Sequence, residues 1–376
     1  MTARIQSYLA DRPLPTPCLV VDLEAVQANY EALAQALPAA RIFYAMKANP
    51  AQEVMSLLAG LGSSFDTASI YEIREALAAG ATPDRISFGN TIKKQSDIAA
   101  AYALGVRLFA FDAEGELEKL AEAAPGAKVY CRLRFERSKT ADWPLGGKFG
   151  CSVDMARDLL MRAKGMGLDP YGVSFHVGSQ QRDAGEWDVA IGKAAMLFTD
   201  LRERGVNLRL LNVGGGFPAH YRTDAASHEE HAAALSAALV KHFGNRQPEV
   251  LIEPGRSLVA DAGLLRSEVV LVSRKMADGP RWVYLDVGKF GGLIETMDEA
   301  IKYRVRTSRD GGAASRAIIA GPTCDEVDVL YQETPYELPD DLRPGDTVDF
   351  LSAGAYTATY CSVAFNGLPP LKTYCI

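Results

Sequence analysis

Between Ala40 and Arg256 the chain repeats one pattern: a short apolar run, a polar or glycine-bearing turn, then an amphipathic stretch of helical period. The apolar runs are Arg41–Met46, Ser63–Asp66, Arg85–Phe88, Arg107–Phe111, Lys128–Phe135, Gly172–Val177, Leu208–Val213 and Val250–Ile252. Helices are predicted between them, among them Ser69–Ala79, Ala113–Ala123, Val153–Lys164, Trp187–Arg204 and His228–Phe243. Strands that alternate with helices imply right-handed βαβ units and a parallel sheet. Eight such units make a closed (β/α)8 barrel the economical reading, although periodicity alone leaves an open doubly wound sheet possible.

After Arg256 the texture changes. Leu264–Ser273, Arg281–Asp286, Arg316–Ile319, Thr347–Leu351 and Thr357–Ala364 read as strands, with Gly/Pro/Asp turns such as Asp340–Gly345 between them. The expectation is an α/β protein: a TIM-like barrel over residues 24–258, then a second, mostly antiparallel β domain over 259–376. The strand Cys18–Val21, in the leading segment 1–23, can pair with either domain and is grouped with the second.

Composition narrows the function. The 376 residues carry a net charge of −7, and the pI is about 5.4, which argues against nucleic acid or an anionic membrane as partner. Six cysteines, at 18, 131, 151, 324, 361 and 375, show no CxxC pair and no metal-ligand spacing with histidine, so no metal is expected. No stretch has the length of a signal-peptide core or a membrane span, and a cytoplasmic protein is expected.

In a barrel, chemistry gathers where the strands end. Here the strand ends bring Lys47, Asp66, Asn90, Asp112, His176 with Ser179, Gly214-Gly215-Gly216 and Glu253-Pro254-Gly255-Arg256 to one rim, and the fifth strand passes Arg132. Lys47 is either a solvated cation or an amine of lowered pKa ready to condense with an aldehyde. The glycine run lets backbone amides approach an anion, which Ser179 and Arg256 can also bind. Glu253 can meet a pyridinium N–H, or instead pair with Arg256. His176 can stack on a ring or be a hydrogen-bonded core histidine. Further on, Cys324-Asp325 follows the turn Gly321-Pro322-Thr323, and Glu295, Met297, Asp298 and Tyr356 lie in loops of the second domain.

Ordered motifs run along nearly the whole chain. They are Tyr-Ala-Met-Lys-Ala-Asn at 44–49, Phe-Asp-Thr-Ala-Ser at 65–69, Ser-Phe-His-Val-Gly-Ser at 174–179 and Gly-Gly-Gly-Phe-Pro at 214–218. Glu-Pro-Gly-Arg at 253–256, Gly-Pro-Thr-Cys-Asp at 321–325, Gly-Ala-Tyr-Thr at 354–357 and Phe-Asn-Gly at 365–367 complete them. Together they resemble the pyridoxal-phosphate decarboxylases of the alanine-racemase-like fold, in their ornithine decarboxylase branch.

The resemblance implies pyridoxal 5'-phosphate as cofactor, with Lys47 as its Schiff-base lysine and Glu253 on the pyridine nitrogen. It implies that His176 lies against the ring and that Ser179, Gly216, Arg256 and Tyr356 hold the phosphate. Asp66, Gly214, Gly215 and Gly255 complete the expected cofactor set. Cys324 would return a proton to the substrate α-carbon, while Asp325 and Asp298, with Met297 beside them, would bind the distal ammonium of a small cationic amino acid. The Cys-Asp loop comes from the partner subunit in this family, so a homodimer with shared sites is expected.

Departures from the family pattern bear on the substrate. About Pro144, in the loop Ser138–Lys148, the eukaryotic ornithine enzymes have an arginine, and Gly291–Met297 also differs, adding Glu295. Gly-Ser-Gln at 178–180 and the run 253–260 resemble diaminopimelate decarboxylases, which carry Cys-Glu in place of Cys324-Asp325. The implied activity is ornithine to putrescine, as in polyamine biosynthesis. Lysine to cadaverine, or dual specificity, comes next, and diaminopimelate after it. A racemase is disfavoured by Glu253, and a non-catalytic relative by the presence of every phosphate and lysine residue. A phosphosugar barrel enzyme would leave the Cys324 loop idle.

Overall fold

The computed structural model describes residues 1–376. The eight predicted barrel strands are present as Ala40–Ala45, Ser64–Thr67, Ile86–Phe88, Leu108–Phe111, Lys128–Arg132, Asp169–Ser174, Leu210–Asn212 and Glu249–Ile252. They pair in parallel, and Glu249–Ile252 returns to Ala40–Ala45 to close the ring. Closure is the step that periodicity left open. Alternation along each strand sends Phe43, Ala110, Tyr130, Leu210 and Leu251 into one cluster, while Ile42, Tyr44, Phe65 and Phe111 join the larger core.

Local chemistry sets the helix starts. Asp22 accepts from the backbone N–H groups of Glu24 and Ala25 to open Leu23–Ala36. Ser69 and Ser152 each cap the next helix, and Ser227 with Glu230 forms a reciprocal capping box on His228–Phe243. The sixth strand ends at Ser174, short of the predicted Val177, so His176 stands in the loop beyond it.

The second sheet has nine strands and is mostly antiparallel. Gly263–Arg274 pairs antiparallel with Arg281–Leu285, Thr347–Leu351 and Cys18–Val21, so the N-terminal strand belongs to this sheet. Arg304–Thr307, Tyr336–Pro339 and Lys372–Cys375 are strands that the sequence pattern did not suggest.

One predicted strand is absent. Thr357–Ala364 holds a 3-10 turn at Ala358–Tyr360 and ends with Ala364 in the left-handed region. Hydrogen bonds in and beside it explain this: the Tyr356 N–H donates to the Ala48 carbonyl at 2.8 Å and the Ser362 N–H to the Phe290 carbonyl at 2.9 Å. With backbone groups committed to loops, no sheet ladder forms. No helix is long and apolar enough to cross a membrane.

Candidate active site at the strand ends

One cavity at the ends of the barrel strands is lined by Lys47, His176, Ser179, Gly215, Gly216, Glu253, Gly255, Arg256 and Tyr356, all singled out in the sequence. Trp143, Phe217, Glu295 and Tyr360 complete most of the remaining wall. The second domain is fastened to the Lys47 loop, since Asn49 Nδ2 donates to the Gly354 carbonyl at 2.9 Å and Tyr356 is tied to Ala48.

Lys47 lies on a single 3-10 turn, Met46–Ala48, after the first strand. Its Nζ is 3.9 Å from Asp66 Oδ2, and its side chain is 52% exposed into the cavity. Protein surrounds it on most sides even so, and desolvation pulls its pKa down. The charges of Asp66, Tyr356 and Glu253 outweigh that pull and leave the pKa above the ordinary lysine value. Of the two sequence readings of Lys47, an amine of lowered pKa is therefore not the one found: the neighbouring charges favour the cation.

Asp66 is buried, and burial together with Glu253 raises its pKa well above the usual carboxylate range. Its Oδ1 has no hydrogen-bond partner. Such an orphan acid beside the amine fits a site built for a further polar group.

Geometry removes one reading of Glu253, the ion pair with Arg256, and fixes the tautomer of His176. Glu253 Oε1 accepts from Asn212 Nδ2 at 2.5 Å, while the Arg256 guanidinium pairs with Glu295 instead, at 2.7 and 2.8 Å. Glu253 thus keeps one oxygen for the cavity. His176 Nδ1 accepts from the Gly178 N–H at 3.0 Å, which places the hydrogen on Nε2. Desolvation first, then Arg132 and Lys47, push its pKa well below the ordinary value, so the ring is a neutral flat wall.

The glycine run is a cradle that side chains would fill. A Cβ on Gly215 would meet the Glu253 carbonyl at 2.5 Å and His176 Nε2 at 3.3 Å. A Cβ on Gly216, whose φ is +106°, would meet the Gly178 carbonyl at 2.5 Å. Gly214 donates its N–H to Asn212 Oδ1 at 2.9 Å, so one asparagine sets both the glycine turn and Glu253. Gly255 packs against Ala45 and Ala48, where a Cβ would come within 3.0 Å of Ala48.

An amine, an unsatisfied acid, a flat neutral ring, a glycine cradle and an acid across the cavity together fit pyridoxal phosphate. Lys47 can take the aldehyde, Glu253 the ring nitrogen, and Ser179, Tyr356 and the glycine amides the phosphate; Arg256, expected to hold the phosphate itself, stands behind Ser179, to whose Oγ it donates.

Four predicted residues lie elsewhere. Cys324, Asp325, Met297 and Asp298 are exposed and do not line this cavity in the single chain. The loop of Cys324 is nevertheless well held: its N–H donates to Asn366 Oδ1 at 2.9 Å, and Thr323 is fixed by the buried Asp328. Asn90 and Asp112 prove to be loop fasteners, Asn90 donating to the Ala68 carbonyl and Asp112 accepting from the Gly150 N–H.

Sequence reasoning missed Trp143, Asn212 and Tyr221. Trp143 reaches the cavity because Ala141–Trp143 pairs antiparallel with Ser179–Gln181, setting Trp143 opposite Ser179. A three-residue strand carries no periodic signal. Asn212 could have been found as the polar last residue of a buried strand, two positions before the glycines.

Residues 23–260 match the family model for the pyridoxal-binding domain of pyridoxal-dependent decarboxylases. A lysine/ornithine decarboxylase of Selenomonas ruminantium is 36% identical over 356 residues, 94% of this chain and 88% of the relative. The Mus musculus ornithine decarboxylase is 32% identical, over 94% of this chain and 79% of its own length. Among solved structures, a lysine/ornithine decarboxylase from Vibrio vulnificus complexed with cadaverine superposes with a TM-score of 0.89 at 31% identity, covering 100% of this chain and 99% of the other. The Selenomonas ruminantium lysine decarboxylase in complex with pyridoxal phosphate and cadaverine gives 0.89 at 33% identity, covering 100% and 94%. With its barrel closed around Lys47 and Glu253 and its relatives aligned almost end to end, the chain belongs to the pyridoxal-phosphate-dependent decarboxylases of basic amino acids, carbon-carbon lyases that release carbon dioxide.

Proposed function

We propose that the chain decarboxylates L-ornithine to putrescine as a homodimer with shared sites. The observation that carries this reading is the Cys324-Asp325 loop, which is rigidly held yet exposed away from the Lys47 cavity. A single chain lacks, at its own cavity, both the thiol and the acid that the reaction calls for. A second copy bringing its Cys324 and Asp325 over the rim would supply them.

Bound pyridoxal phosphate supplies an electron-accepting ring for the pair left when the carboxylate departs. Around it, Lys47 would anchor the aldehyde, and Asp66 would hold the proton of the free amine. Glu253, steadied by Asn212, would hold a proton at the ring nitrogen, and His176 would offer its neutral ring as a wall of the cavity. The neighbouring subunit's thiol gives its proton to the α-carbon, and the short carboxylate of Asp325, with Asp298, receives the distal ammonium.

Lysine is a second reading with specific support, because similar proteins are named lysine/ornithine decarboxylases and one is solved with cadaverine and, in a separate structure, with putrescine. One methylene is worth only about 1–3 kcal/mol of discrimination. Putrescine and cadaverine formed from equal ornithine and lysine therefore decide it: a higher kcat/KM for lysine would displace ornithine. Shared sites are tested by mixing Lys47→Ala and Cys324→Ala proteins, each inactive alone. Random exchange restores about a quarter of wild-type activity if sites are shared, and none if each chain is self-sufficient.

A further inference from the structure

Arg256 is buried, at 3% side-chain exposure, and every N–H of its guanidinium is engaged. Nη1 donates to Tyr221 Oη at 2.9 Å and to Glu295 Oε2 at 2.8 Å. Nη2 donates to Glu295 Oε1 at 2.7 Å and to Ser179 Oγ at 3.1 Å, and Nε also donates to Ser179 Oγ, at 3.3 Å. A guanidinium has five N–H groups, so none is left over.

Two consequences follow for the phosphate end of the cavity. First, the bidentate Glu295 carboxylate, itself 4% exposed, cancels the charge that Arg256 would present to a dianion. Second, Ser179 Oγ already accepts two N–H bonds, so its own proton remains to be donated, and Ser179 lines the cavity. Glu295 is itself anchored, as its backbone carbonyl accepts from the Ile301 N–H at 2.9 Å and Thr296 Oγ1 ties the turn to Leu293 at 2.6 Å.

We propose that Glu295 is a positioning residue for the cofactor phosphate: it locks the Arg256 guanidinium so that Ser179 turns its hydroxyl proton toward the phosphate. Recognition of the dianion then runs through the hydroxyls of Ser179 and Tyr356 and the glycine amides, with Arg256 acting on Ser179. Three separate elements meet here: the short strand Ser179–Gln181, the helical turn after the eighth barrel strand, and a loop of the second domain. The cofactor site is therefore complete only when both domains are docked.

Charge alone and positioning predict opposite signs. If Glu295 only opposed the phosphate, E295Q would bind pyridoxal phosphate more tightly. As a positioning residue, it cannot be replaced by an amide, which offers one acceptor oxygen and an NH2 that abuts the guanidinium.

The test dialyses purified holoenzymes of wild type, E295Q and Y221F against graded pyridoxal phosphate or pyridoxal, and reads retained cofactor by absorbance. E295Q is expected to weaken pyridoxal phosphate retention about tenfold or more and to leave pyridoxal, which lacks the phosphate, unchanged. Y221F, which removes one acceptor without altering charge, shifts retention the same way by less. Unchanged or tighter pyridoxal phosphate in E295Q overturns the proposal, as does an equal loss of pyridoxal. Should E295Q not accumulate as folded protein, Y221F decides alone, and a Y221F protein without phosphate-specific loss overturns it. No amino acid is present in this assay, so its outcome is independent of whether ornithine is the substrate.

Discussion

Replacing Asp66 with asparagine tests how the charge on Lys47 is held. The two groups are 3.9 Å apart, a separation at which unit charges attract by about 4 kcal/mol at an effective dielectric of about 20. The Lys47 side chain is 52% exposed to the cavity, so solvent screening reduces the effect to about 1 kcal/mol, or roughly one pH unit. Asparagine keeps the shape and removes the charge, while burial continues to favour the neutral amine. The Lys47 midpoint should therefore fall by about one unit. At about pH 8, below both midpoints, the neutral fraction and the rate of aldehyde capture should each rise about tenfold. Cofactor-free protein exposed to a small aldehyde and trapped with borohydride, with label at Lys47 measured by mass spectrometry across pH, gives the profile. An unmoved midpoint would mean that Asp66 carries no charge beside the lysine, and the reasoning would fail.

Two further outcomes follow from groups placed by the fold. Lys93 is buried against Glu116, and desolvation lowers its pKa from 10.5 to about 8. Below about pH 8 both folded and unfolded states are charged there and the native state bears the whole burial penalty. Between about 8 and 10.5 the unfolded state holds more protons, so stability rises with pH by about 3 kcal/mol in all. Urea unfolding at about pH 7.5 and 9.5 should show a rise of about 2 kcal/mol in wild type relative to Lys93→Met, and parallel curves would refute this. Gly216→Ala sets a Cβ 2.5 Å from the Gly178 carbonyl at a φ of +106°, a strain of about 1–3 kcal/mol. It should release pyridoxal phosphate on gel filtration, whereas retention equal to wild type would show that the cradle yields.

The sequence carried the barrel well because each of its strands is local, apolar and followed by its own helix. Closure did not show, since it rests on one pairing, Val250–Ile252 against Ala40–Ile42, across some 210 residues. Thr357–Ala364 misled because its Thr, Tyr, Cys and Val residues suit strands, while Tyr356 before it and Ser362 within it bond to Ala48 and Phe290, distant in sequence. The site was legible where residues sit at strand ends, as Lys47, Glu253 and the glycines do. It was opaque where a partner is defined only in space. Arg256 finds Glu295 from another domain, and Trp143 gains its place from the three residues at 179–181.

The seating of Cys18–Val21 bears on how the molecule is made. This strand lies between Gly263–Arg274 and Lys372–Cys375, so its neighbours on either side leave the ribosome about 250 and about 350 residues after it. All eight staves of the barrel emerge in one uninterrupted stretch and can close while the early strand still waits. Tyr356 and Glu295 also arrive late, so a nascent chain halted after the barrel would be shaped yet without part of its cofactor grip. A polypeptide stopped short of Tyr356 would therefore hold its vitamin less firmly than one that runs past it.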